Sequence, residues 1–185
     1  MVGFLLDTCV VSETSKLESD DGVMRFLATE GDIALPMGAI IEFEMGIRRK
    51  HAEDPAKAKR LLAWLDGLLA TGMPVVETGV AIARQYGMMR ASKTLSHLFI
   101  TQSNAKVVRG GQDVHNAAAA IVSGRSMVTF DVIDYLSIHA EYPMPGIYDP
   151  KLDHWHVRPG DRTVHHPRHG LIPLKTPFSG ARTRR

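Results

Sequence analysis

The sequence predicts an α/β layer fold with a largely parallel sheet. Two observations carry that expectation. Short apolar runs with no polar alternation recur along the chain, as in strands covered on both faces. Between them lie longer segments with helical spacing of apolar residues, and strands alternating with helices build parallel sheets. The composition agrees: 44% of the 185 residues are apolar and 23% charged, ordinary globular values in a chain long enough to bury a sizeable core.

The elements follow in order. Residues 3–6 (GFLL) are an apolar run ending at Asp7, the first strand. Residues 22–29 place Val23, Phe26 and Leu27 at helical spacing, and 33–35 (IAL) form a second short strand stopped by Pro36. AIIEFEMGIRRK, 39–50, is a helix with Ile40, Ile41, Glu42, Met45 and Arg49 towards one side. Residues 55–70 are the clearest amphipathic helix, with Pro55 in the first turn and Asp54 as its cap. PVVE at 74–77 is a strand, and 78–98 is mostly helix-compatible with Gly87 a weak point. Residues 99–112 read as a loop containing a Gly pair. A helix over 113–124 ends at Gly124, SMVTF at 126–130 is a strand, DVIDYLSI a short helix and GIY at 146–148 a last edge strand.

Regularity stops near residue 150, which divides the chain into a domain over 1–150 and a basic extension over 151–185. The extension carries four prolines, three glycines and five histidines, with eight of the 22 basic and two of the 20 acidic residues. It is therefore +6, and the rest is −4. Its composition is that of a flexible extension. The lone Cys9 excludes an internal disulfide framework and a cysteine-built zinc site. No apolar run reaches the roughly 18 residues that span a bilayer. The first residues lack the basic start of a signal peptide, so the expectation is a cytoplasmic protein with no membrane partner.

Four acids stand at strand ends or helix starts. Asp7 closes the first strand, Glu42 sits in the helix after the second, Asp113 opens an Ala-rich helix, and Asp131 follows SMVTF with Asp134 one step on. The crevice of an open α/β sheet lies at the carboxyl ends of its strands, so these residues can converge. Converging carboxylates repel unless a cation sits among them, and Mg²⁺ or Mn²⁺ meets that need with oxygen ligands and waters. The chemistry implied is metal-assisted phosphodiester hydrolysis. Taken singly, each acid also reads as a helix cap or a solvated helix residue.

FLLDTCVVSE at 4–13, IIEFEMGIRR at 40–49, DVHNAAAAI at 113–121 and MVTFDVIDY at 127–135 occur together and in that order. The set resembles the PIN domain, above all the toxin ribonucleases of VapBC-type toxin–antitoxin pairs. The resemblance covers about residues 3–149. It implies a three-layer α/β/α sandwich around a mostly parallel sheet of about five strands. It further implies a Mg²⁺- or Mn²⁺-dependent endoribonuclease acting on RNA such as tRNA, a homodimer, and an antitoxin that neutralises it. Matched to the family motifs, Asp7, Glu42, Asp113 and Asp131 are the catalytic acids. Asp7, Asp113, Asp131 and Asp134 are the metal-site acids, with Thr8 and Thr129 in support. Glu44 ranks behind Glu42, because two residues on is roughly the other side of a helix. Two positions depart from the pattern: Cys9 replaces the usual Asn, and Tyr135 the commoner Phe.

Cations must neutralise RNA phosphate beside so acidic a pocket. Arg48, Arg49 and Lys50 extend from the helix carrying Glu42, and Lys106 and Arg109 precede Asp113. They are the candidate RNA contacts, with solvated helix ends as the plain alternative. Trp155 among basic residues and histidines in the extension reads as a nucleic-acid surface, a disordered tail or a segment packed on a partner, and its histidines as titratable tail residues ahead of a transition-metal site. His115 and Asn116 read as a helix face beside Asp113. Trp64 reads as core or as a partner-surface anchor. A haloacid-dehalogenase-type phosphatase needs a second Asp where Cys9 stands, which excludes it. The alternative to cleavage is a PIN-like module that holds RNA or a partner without cutting.

Overall fold

The computed structural model describes residues 3–99 and 111–161, together with the backbone of two further strands at 163–166 and 170–173. Eight strands and seven α-helices are set out in it: β1 (Phe4–Leu6), α1 (Thr8–Ser12), α2 (Asp21–Thr29), β2 (Ile33–Pro36), α3 (Met37–Glu53), α4 (Pro55–Ala70), β3 (Val75–Val76), α5 (Val80–Arg90), α6 (Gln112–Ser123), β4 (Ser126–Val128), α7 (Val132–Glu141), β5 (Ile147–Asp149), β6 (His154–Val157), β7 (Thr163–His166) and β8 (Gly170–Pro173).

The sheet order is β3-β2-β1-β4-β5-β6. Every pairing from β3 to β5 is parallel, and β6 joins antiparallel to β5. β7 and β8 form a separate antiparallel pair. β1 is central because all three of its residues are buried. Its side chains alternate between two cores, as strand geometry requires. Leu5 packs with Ala34, Met127 and Ile147 beneath α5, α6 and α7; Phe4 and Leu6 pack with Leu35 and Val128 beneath α1 to α4. That is the three-layer α/β/α arrangement the motifs imply.

Local chemistry sets the helix ends. Asp20 accepts from the amides of Gly22 and Val23 at the head of α2, and Asp54 accepts from Lys57 at the head of α4. Gly111 precedes α6 with φ +69°, and a Cβ there would strike the Phe99 ring. Ala117 to Ala120 are all fully buried, so small side chains let α6 lie close to the sheet.

Several boundaries differ from the sequence reading. The one-turn helix α1 follows Asp7 directly and was too short to show a period. α5 runs through Gly87 but stops at Arg90, and a 3-10 turn at Ser96–Leu98 buries Leu95 and Leu98. The expected loop over 99–112 lies mostly outside the described residues. The strand at 147–149 is not an edge, because β6 covers it. Order therefore passes residue 150, where the regular domain was expected to end. Trp155 packs on Phe4 and Tyr148, Val157 is buried, and Lys151 Nζ reaches buried Glu13 at 3.1 Å and stands over the Phe130 ring. Among the described residues no helix is long and apolar enough to cross a membrane.

Candidate functional site

β1 and β4 are parallel neighbours, so the residues that leave their carboxyl ends meet. Asp7 is the first residue beyond β1, and its amide still donates to Val128 O at 3.0 Å. Its carboxylate is 3% exposed and accepts four hydrogen bonds. Oδ1 takes the Thr8 amide at 2.9 Å and the Tyr135 hydroxyl at 3.0 Å. Oδ2 takes the Thr129 hydroxyl at 2.8 Å and the Cys9 thiol at 3.3 Å. A carboxylate has about four lone-pair sites, so these donors fill it. Thr129 also accepts from the Asp131 amide at 3.0 Å, so one hydroxyl fixes Asp7 and the chain leading to Asp131. The Thr8 hydroxyl donates to Glu42 Oε2 at 2.6 Å, which ties α3 to the end of β1.

The acids share one field. Burial pushes the Asp113 carboxyl up to about 8, and the charges of Asp7, Glu42, Asp134 and Asp131 push in the same direction. Burial raises Glu42 as well; the Thr8 hydrogen bond and Arg49 oppose this, and Asp7 and Asp131 reinforce it. Glu44 is turned away to pair with Arg48 at 3.5 Å. The ranking of Glu42 over Glu44 matches this geometry.

The two departures from the family pattern meet on Asp7. Tyr135 is fully buried, and its hydroxyl finds a partner there, as buried tyrosines usually do. Sequence reasoning treated it only as a substitute for Phe, although a hydroxyl at a core position was itself the signal. Burial, then the charge of Asp7, drives the Cys9 thiol up to about 12. Cys9 is therefore a weak donor to Asp7 and not a thiolate nucleophile.

Other expected residues fall elsewhere. Arg48 is engaged by Glu44 and Lys50 by Glu53 at 2.6 Å, while Arg49 lies in the field of Glu42. Lys106 and Arg109 lie outside the described residues. His115 Nε2 is 2.9 Å from the Thr78 hydroxyl, and its ring packs edge-on against Tyr86, so it belongs to the α5–α6 packing. Fully buried Asn116 fits only because Gly38 has no Cβ to collide with its Oδ1. Trp64 is an internal anchor, donating to Thr14 Oγ1 at 3.1 Å and stacking edge-on with Phe43.

Among the described residues no three His, Cys, Asp or Glu side chains already converge on one ion. The donor chemistry nevertheless fits a hard cation. The group is all carboxylate oxygen, and burial first, then the charges of Asp7, Glu42, Asp134 and Asp131, raise the Asp113 carboxyl, a cost that a bound cation would offset. Mg²⁺ suits such a group, since it commonly takes only one or two carboxylates and keeps several waters. Asp7, Asp113, Asp131, Asp134 and Glu42 are the acids that would hold it.

No protein-family model and no curated protein matches the chain. Solved structures do. A chain of DNA-bound VapBC from Salmonella typhimurium is 20% identical with a TM-score of 0.52, the match covering 81% of this chain and 99% of that one. A chain of VapBC2 from Rickettsia felis, bound to a DNA fragment from its promoter, is 18% identical with a TM-score of 0.51 over 73% and 91%. A chain of FitAB bound to an IR36 DNA fragment is 18% identical with a TM-score of 0.52 over 80% and 95%. The chain thus has the PIN-like α/β/α fold that its four ordered motifs imply.

Proposed function

We propose that the protein is a metal-dependent endoribonuclease and the toxin of a toxin–antitoxin pair. One observation supports the reading: burial, and after it the charges of Asp7, Glu42, Asp134 and Asp131, push the Asp113 carboxyl up to about 8, so these five acids lie in one field. A site built only to bind RNA has no use for such a cluster. A Mg²⁺ or Mn²⁺ ion held there supplies Lewis acidity towards a phosphodiester and lowers the pKa of bound water. Asp113 would be among the acids that hold the ion, as its carboxylate. Thr129 and Tyr135 hold the Asp7 carboxylate still, and Thr8 holds Glu42. The raised proton affinity of Glu42 suits it to take a proton from attacking water. Arg49, on the same helix, is placed to meet phosphate.

The antitoxin belongs to the same reading, because the solved structures that share the fold are VapBC and FitAB complexes. The alternative, a module that binds RNA or a partner without cutting, draws on the lack of three preassembled ligands among the described residues.

Incubation of the purified chain with total RNA, with and without Mn²⁺ or Mg²⁺, separates the two readings. Discrete metal-dependent cleavage is expected, falling by roughly 100-fold or more in Asp113→Asn and Asp131→Asn chains. Those acids are safer to change than Asp7, whose four donors make it structural as well. RNA binding without metal-dependent cutting would leave the module reading in place.

A further inference from the structure

β6 carries a second group of ligating side chains, outside the acids at the ends of β1 and β4. His154 and His156 flank Trp155, and Asp149 on β5 lies opposite His154 in the ladder. The register shifts here, with Trp155 opposite Tyr148 and Val157 opposite Ile147, so His156 is the extra residue of a bulge. Trp155 faces one core and Val157 the other. Bulges re-aim side chains, and this one sets His156 beside His154 and Asp149.

We propose that His154, His156 and Asp149 form a binding site for a divalent transition-metal ion of the zinc class. His156 Nε2 is buried with no hydrogen-bond partner, an expensive state for an imidazole nitrogen unless something else uses it. Asp149 Oδ2 stands 4.0 Å from that nitrogen. Oδ1 of the same carboxylate accepts from the amides of Lys151 at 2.9 Å and Leu152 at 3.4 Å, which orients the group and leaves Oδ2 towards His156. The His154 and His156 ring centroids are 4.8 Å apart with planes at 81°. Two imidazoles bound to one tetrahedral Zn²⁺ through nitrogens at about 2.0–2.1 Å hold their centroids roughly 5 Å apart, so the spacing already suits a shared ion.

The three side chains do not yet converge on one point. His154 is exposed and can turn, and closing the 4.0 Å gap to the roughly 3.3 Å between ligand atoms on one zinc takes under an ångström. Two nitrogens and one carboxylate oxygen leave a fourth position for water or a further ligand. That donor set selects Zn²⁺ over the Mg²⁺ suited to the all-carboxylate group. An ion there clamps β6 to β5.

The probe is Zn²⁺ alone, added to the full chain at neutral pH, with bound metal counted after equilibrium dialysis and the melting temperature recorded. Asp113→Asn/Asp131→Asn protein is measured in parallel, because zinc also binds carboxylates. One ion bound and a higher melting temperature are expected in the Asp113→Asn/Asp131→Asn chain, and at least as much bound zinc in the unaltered one. His154→Ala, a change at an exposed side chain, is expected to weaken zinc binding by at least roughly tenfold while the metal-free chain melts as before. His156→Gln is expected to do the same. Undiminished binding in His154→Ala overturns the proposal and places the ion on the acids or on His165, His166 and His169. Absence of binding to the unaltered chain overturns it outright.

Discussion

Asp113 concentrates the electrostatic cost of the site in one side chain. Its carboxyl is raised from 3.8 to about 8 in the fold, so the native chain keeps a proton that the unfolded chain has already released. The sign follows from linkage: the stability tied to this proton is whole below about pH 4 and is lost as pH rises towards 8. Asp113→Asn removes the titration. The variant should match the unaltered chain in stability near pH 4 and exceed it at pH 8, by on the order of a few kcal/mol in metal-free buffer. Added Mn²⁺ should narrow that gap by stabilising the unaltered chain alone. Thermal melts across pH, with and without Mn²⁺, check both parts, and a gap flat with pH would mean the acids do not share a field. The places of Asp7, Asp113 and Asp131 were legible in the sequence, because each stands at a strand end or helix start. The four donors around Asp7 were not. They come from α1, the segment after β4 and α7, and only folding shows that Cys9 and Tyr135 both point at one carboxylate.

Among the elements, β6 is the one the sequence hid. HWHV alternates polar with apolar residues, but over only four positions, directly after a turn, and in a stretch whose prolines and histidines read as an extension. Its place depends on long-range contacts: Trp155 against Phe4 and Tyr148, and Lys151 against Glu13. Lys16 first, and Lys151 after it, hold the Glu13 carboxyl down at about 2 despite its burial. Elements with their own period, such as α4, were plain, and so was β1, whose apolar run has no polar break. α1 and β6 are short and acquire their structure from the body they close. Trp155→Ala should therefore destabilise the whole domain by about 3 kcal/mol, as removal of a large aromatic from a packed cluster does. Chemical denaturation read by far-UV circular dichroism measures it. A loss under about 0.5 kcal/mol would show that the domain ends before β6, as the composition alone had indicated.

At the scale of the whole molecule, the fold was readable because four weak motifs occur in one order, and a parallel sheet carries ordered strand ends to a common edge. The charge distribution was equally readable but is rearranged by folding. The body over 1–150 is −4, and of the cations expected beside the acids, Arg48 is paired with Glu44 and Lys50 with Glu53. On the proposed reading, positive charge for an RNA would come from Arg49 and from the +6 segment after residue 150. Each phosphate neutralised on a single strand steepens the salt dependence of binding by about 0.7 in log–log slope. Replacing Arg182, Arg184 and Arg185 by Gln should therefore weaken RNA binding at low salt and flatten that slope by about 2, while leaving metal-dependent stabilisation of the acid site intact. Filter binding of a single-stranded RNA to metal-free protein across a salt series measures the slope without cleavage. An unchanged slope would assign the RNA contacts to Arg49 and the segment before Asp113, and would leave the basic end of the chain for a partner.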